Sequence, residues 1–64
     1  MSARKSLSPR QRQVLRLIAA GETDKAIAAN LNISKATVSA HVSAILAKLR
    51  CRSRTQAAVT FFCR

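Results

Sequence analysis

Between Ser34 and Leu49 the chain reads SKATVSAHVSAILAKL, and its apolar residues Val38, Val42, Ile45, Leu46 and Leu49 recur at steps of three and four. That spacing lines one side of an α-helix with apolar groups. The opposite side carries Ala36, Ser39, Ala40, Ser43 and Ala47. It is small and free of acids, with Lys35 and Lys48 at the two ends of the stretch. An ordinary solvated face mixes Glu with Lys. A small, acid-free face suits a helix lying close against something negatively charged.

The rest of the chain follows the same period. Met1–Ser6 reads as a flexible basic arm bearing Arg4 and Lys5, and 7–64 as the folded domain. Ser8-Pro9-Arg10-Gln11 opens a first helix: Ser8 is the N-cap, Pro9 suits the first helical position and Gln11 completes a capping box. Leu7 can staple onto the first turn. Val14, Leu17 and Ile18 share one face, with Leu15 beside them, and Gly21 is the expected left-handed stop. Thr23 caps a second helix with Asp24 in its first turn, where negative charge is favourable. Ala26, Ile27 and Leu31 form its short apolar stripe. Asn32 tolerates positive φ, Ile33 follows, and Ser34 caps the third helix. Ser53-Arg54-Thr55-Gln56 repeats the capping pattern and opens a fourth helix, Arg54–Cys63. No strand pattern occurs, so the chain is predicted to be all-α.

Sixty-four residues make a single domain with a limited core. Cys51 and Cys63 are too few for a disulfide framework. With His41 they fall short of the four or so ligands of a structural zinc site, so no metal or other cofactor is expected. The thiols read as reduced, cytosolic cysteines. The basic, polar N-terminus is not a secretory signal, and no apolar run of about 18 residues spans a membrane. A cytoplasmic protein is the expectation.

The formal net charge of +10 comes from twelve Lys and Arg against two acids, Glu22 and Asp24. No acid follows Asp24. Self-repulsion of this size weakens a small fold and makes most sense beside a polyanion, with nucleic acid the leading candidate and an anionic membrane surface the second. Nothing resembles a catalytic constellation, and an enzyme is not expected. The lone His41 sits at the edge of the core face with no acid or nucleophile arranged around it.

Ala28, Asn32 and Val38 fall where a helix-turn-helix needs a small residue, a turn and an apolar anchor; in that motif the second helix enters the DNA major groove. The chain then resembles a known family. Ser8-Pro9-Arg10-x-Arg12-x-Val14-Leu15, Ala20-Gly21-x-Thr23-x-Lys25-x-Ile27-Ala28, Leu31-x-Ile33-Ser34-x-x-Thr37-Val38-x-x-His41-Val42-x-x-Ile45-Leu46-x-Lys48-Leu49 and Ser53-Arg54-Thr55-Gln56-Ala57 are similar to the LuxR-type (GerE/FixJ-type) DNA-binding domain. The resemblance implies a compact four-helix bundle in which helices two and three form the helix-turn-helix. It also implies dimers joined through the fourth helix, and a bacterial transcription regulator whose output domain usually follows a sensory or receiver domain; this chain reads either as such an output domain excised or as a single-domain regulator. The family usually has Glu where this chain has Gln11, Gln13 and Ala26. Many members place long Lys or Arg residues where Ser39 and Ser43 stand.

On this reading Ser39, Ala40 and Ser43 are the candidate base readers. Serine donates to or accepts from several bases, and an alanine methyl can meet that of thymine. Ser34 and Lys35 begin the third helix, where free N–H groups favour a phosphate. Thr37 resembles the family's phosphate-contacting threonine. Lys48, Arg50, Arg52 and Arg54 crowd the end of helix three and the start of helix four with no acid near in sequence, so phosphate contact is expected of them too. In the fourth helix Ala57 and Phe61 are expected to face inward. Ala58 and Phe62 are the candidate dimer seam, with packing on the core as the other reading. The function expected is sequence-selective binding of double-stranded DNA by a symmetric homodimer. The alternative is a small interaction protein that heterodimerises with a full-length regulator through helix four and modulates it.

Overall fold

A computed structural model describes residues 6–62. Met1–Lys5, with Arg4 and Lys5 of the expected arm, lie outside the described residues, as do Cys63 and Arg64. The described chain folds into four helices: α1 (Pro9–Ala19), α2 (Asp24–Leu31), α3 (Lys35–Leu49) and α4 (Arg54–Phe62). No strand occurs among the described residues.

Helix starts follow the sequence signals closely. Ser8 Oγ accepts from the Gln11 N–H at 3.1 Å while Gln11 Oε1 accepts from the Ser8 N–H at 2.9 Å, the reciprocal capping box. Thr23 Oγ1 accepts from the Ala26 N–H at 3.1 Å, and Ser34 Oγ from the Thr37 N–H at 3.0 Å. At α4 the pattern differs by one position. Ser53 Oγ accepts from the Gln56 N–H, but the Gln56 amide oxygen takes the Arg52 N–H at 2.7 Å rather than that of the cap itself. Each cap contributes about 1 kcal/mol, a large share for a domain of this size.

Three helices stop by turning left-handed. Gly21 has φ 88°, and the Glu22 N–H closes back onto the Leu17 carbonyl. Asn32 stands at φ 57° with the Ile33 N–H on the Ala28 carbonyl. The third stop is unexpected: Arg50, read from sequence only as part of a basic connection, lies at φ 56° and ψ 41°, with the Cys51 N–H on the Leu46 carbonyl.

The core draws on every helix. Val14, Leu15 and Ile18 come from α1, Ile27 and Ala28 from α2, Val38 and Ile45 from α3, and Ala57 from α4, with Leu7 buried ahead of α1 as a staple. Fully burying an aliphatic side chain of this size contributes roughly 1.5–3 kcal/mol. Leu15 is fully buried whereas Leu17 is only half-buried, the reverse of the emphasis in the sequence pattern. The reason is that α1 packs chiefly against α4 and α3 and only lightly against α2. Leu17 falls toward α2, beside Gln13, Arg16, Asn30 and Leu31 in a shallow groove. No polar or charged residue is buried among those described. The charge of the described residues is therefore at the surface, and its placement decides what the surface can bind.

Candidate nucleic-acid interface

Helix α3 is divided as its periodicity requires. Val38 and Ile45 are fully buried, and Val42, Leu46 and Leu49 pack partly buried against the same core. Ala36, Ser39, Ala40, Ser43 and Ala47 are all exposed. The five form one strip along the outer side of a 15-residue helix, about 22 Å long. No side chain on the strip is longer than serine, so the helix backbone can approach a partner closely. His41 is half-buried at the margin of the core face, the boundary position its spacing indicated.

At the N-terminal end of the strip, Ser34 caps the helix and its Oγ also lies 2.9 Å from Thr37 Oγ1. Ser34, Lys35 and Thr37 are all exposed. The α2–α3 connection, 32–34, is three residues long and is held by the left-handed Asn32. It makes α2 and α3 a helix-turn-helix with α3 outward.

The four cations gathered by sequence at the other end divide into two pairs. Arg50 and Arg52 are exposed. Lys48 is tied inward: its Nζ donates to the Ser6 carbonyl at 2.9 Å and to Gln11 Oε1 at 3.0 Å, joining the end of α3 to the start of α1. Arg54 is also tied. Its guanidinium forms an ion pair with Asp24 and donates to the Glu22 carbonyl at 3.3 Å, joining the start of α4 to the start of α2. Sequence proximity suggested that no acid relieves this cluster. The fold brings Asp24 across 30 positions to do so for Arg54. Glu22 and Asp24 line one open cleft with Thr23, Lys25, Lys35 and Arg54, so both acids of the chain sit at a single corner and none accompanies Lys48, Arg50 or Arg52.

On α4, Ala57 is fully buried and Phe61 half-buried against the core, facing inward as expected. Phe61 meets Phe62 edge to face with ring centroids 5.3 Å apart. Phe62 is 68% exposed, but its companion on the open side is Val59, 55% exposed. Ala58 is half-buried and packs on the core. The sequence reading missed Val59, although its three-residue step to Phe62 was the signal that could have found it. Cys51 is a free, half-buried thiol. No group of potential metal ligands gathers among the described residues, and no helix among them is long and apolar enough to cross a membrane.

The model of the luxR family of bacterial regulatory proteins matches residues 5–61. The chain belongs to the luxR family. Its helix-turn-helix, outward α3 and fourth helix are thus those of a transcription-regulator domain, and the family is not one of enzymes. The chain is 51% identical over 55 residues to the putative HTH-type transcriptional regulator YhjB of Escherichia coli K12, across 86% of this chain and 28% of that protein. It is 47% identical over 53 residues to the nitrate/nitrite response regulator protein NarL of the same strain, across 83% of this chain and 24% of NarL. It is 48% identical over 54 residues to the transcriptional regulatory protein LiaR of Bacillus subtilis, across 84% and 26%. The luxR-family domain described here therefore spans about a quarter of the length of these relatives.

Proposed function

We propose that this luxR-family domain binds double-stranded DNA sequence-selectively by laying α3 in the major groove, as the output module of a bacterial transcription regulator in the cytoplasm. The observation that carries this reading is the exposed strip of Ala36, Ser39, Ala40, Ser43 and Ala47, backed by a fully buried Val38 and Ile45. Ser39, Ala40 and Ser43 read base edges. None of them makes the two-pronged contact that contributes about 1–3 kcal/mol of discrimination per base pair, so direct readout is modest and DNA shape adds to it. Ser34, Lys35 and Thr37 take phosphate at the start of α3, and Arg50 and Arg52 take it beyond the end. Lys48 acts from a fixed position, bonded within the fold, whereas Arg54 is held by Asp24 and contributes little to the phosphate contacts. The relatives' greater length supports a sensory or receiver module in the whole regulator.

A homodimer on a two-fold site, joined through α4 at Phe62 with Val59 and the flank of Ala58, completes the reading. The exposure of Val59 and Phe62 supports it. The same exposed pair supports a second reading, in which the domain heterodimerises with a full-length regulator and modulates it.

The test is a fluorescence titration with promoter and random duplexes at several salt concentrations. Binding that weakens with salt and prefers the promoter sequence supports the DNA reading. Absent or salt-independent binding overturns it. Negligible DNA affinity, together with capture of a full-length regulator in a pull-down, favours the heterodimer instead.

A further inference from the structure

Where the C-terminal end of α3 meets the start of α1, two residues have conformations or partners that a purely structural role does not require. The first is Arg50. Asn32 and Arg50 are the two positive-φ residues other than glycine among those described. Asparagine visits the left-handed region readily; arginine does not, because its Cβ crowds the neighbouring carbonyl. Glycine or asparagine is the cheaper stop for a helix. A cation at a helix C-terminus offsets the helix dipole, but Lys48 already stands in the last turn of α3. The dipole therefore does not explain an arginine held left-handed.

The second is Gln11, the neutral partner of Lys48. The Lys48 ammonium donates to two oxygens, the Ser6 carbonyl and Gln11 Oε1, and neither is charged. Gln11 Oε1 also accepts from the Ser8 N–H. A glutamate in the same place would turn the Lys48 contact into an ion pair and the Ser8 N–H contact into a charge-assisted bond, and would sit favourably in the first turn of α1. It would also cancel the charge on Lys48. Both acids of the chain are elsewhere, at the cleft lined by Lys25, Lys35 and Arg54.

We propose that Lys48 and Arg50 form a phosphate grip whose charge is left uncompensated at the expense of fold stability, with Gln11 as the positioning residue that fixes the Lys48 ammonium without neutralising it. The proposal rests on the DNA-binding reading and deepens it. Gln11 touches no DNA; it holds the ammonium in place and keeps its field. Arg50 extends the same cationic end beyond the last turn of α3. The grip therefore predicts an unusual pairing of effects: substitutions here that stabilise the fold weaken binding.

Three variants of the full chain test this, Gln11→Glu, Arg50→Gly and Gln13→Glu. Each removes one unit of the net charge of +10. Gln13 is the control, exposed on α1 and roughly 200° around that helix from Gln11. The readouts are the urea midpoint of unfolding and the salt dependence of affinity for a random 20-base-pair duplex. Gln11→Glu and Arg50→Gly are expected to raise the urea midpoint. Each is also expected to lower the salt slope by about 0.9 and the affinity roughly eightfold at 0.1 M salt, the effect of one lost phosphate contact. Gln13→Glu changes affinity less than about twofold, through the general field alone. The proposal is overturned if Gln11→Glu and Arg50→Gly weaken binding no more than Gln13→Glu, or if either lowers the urea midpoint. If the native chain shows no salt-dependent duplex binding, the DNA reading itself falls and the grip with it, a result seen before any variant is compared.

Discussion

Asp24→Asn should make this domain less stable and a stronger DNA binder. The Asp24 carboxylate pairs with the Arg54 guanidinium, and the two side chains are 35% and 37% exposed. That places the pair between a surface bridge of about 0.2–1 kcal/mol and a charge-assisted bond of about 1.5–3 kcal/mol. About 1 kcal/mol is the reasonable figure. Asp24 also lies in the first turn of α2, where the dipole adds a few tenths of a kcal/mol. The loss of about 1–1.5 kcal/mol is large for a chain whose single core rarely supplies more than about 3–5 kcal/mol. For a domain of this size it lowers the melting midpoint by roughly 4–10 °C. The same substitution raises the net charge by one and releases a guanidinium, so the salt slope should steepen by up to about 0.9 per phosphate gained. The assay is a double-mutant cycle over Asp24→Asn and Arg54→Met, read by urea unfolding and by duplex titration. Coupling in stability of about 0.5–1 kcal/mol is expected, and Arg54→Met alone should leave the slope nearly unchanged. Coupling below about 0.3 kcal/mol, the limit of ordinary additivity, would refute the pair as a structural tie. A full unit of slope lost in Arg54→Met would show that the arginine leaves Asp24 for phosphate.

Other outcomes follow from single features. Ile45 is fully buried, so Ile45→Ala should cost about 2–5 kcal/mol and leave the domain largely unfolded by circular dichroism at 25 °C. Ser34→Ala removes the oxygen that accepts the Thr37 N–H; a loss of about 1 kcal/mol in thermal or urea unfolding is expected, with weaker duplex binding at every salt concentration. Val59→Asp with Phe62→Ser acts on side chains 55% and 68% exposed. Sedimentation should show loss of self-association with the unfolding free energy changed by less than about 0.5 kcal/mol, and a dimer that persists excludes this face as its seam.

Much of the fold was legible because its signals are local. Ser8, Thr23, Ser34 and Ser53 each accept from an N–H three residues on, and that spacing is visible in any sequence. The inner and outer sides of α3 were legible for a similar reason, since a helix repeats every 3.6 residues wherever it lies. What the sequence withheld is tertiary. Lys48 to Gln11 spans 37 positions and Arg54 to Asp24 spans 30, and no periodicity relates such pairs. Gln11 was read as half of a capping box, and it is also the partner of Lys48. Arg50 carried no glycine or asparagine to announce a left-handed turn. Leu17 lost its central place because helical spacing gives a face its direction but not the neighbour that covers it. Val59 was overlooked because Ala58 was given the open side of α4 with Phe62, whereas Ala58 packs on the core and Val59, three residues before Phe62, is the exposed one.

The acid corner bears on how the domain approaches a partner. Three cations there, Lys25, Lys35 and Arg54, stand with both acids, leaving that region almost neutral. The other nine basic residues of the chain have no acid among them. The described molecule is 32 Å along its longest axis, several times the screening length of about 8 Å at physiological salt. On the DNA-binding reading, a nearby polyanion should feel these regions separately, and the domain is expected to arrive oriented. The uncompensated end of α3 is then expected to make the first contact, with the Ser34–Thr37 end closing afterwards. Added salt should slow association more than it hastens release.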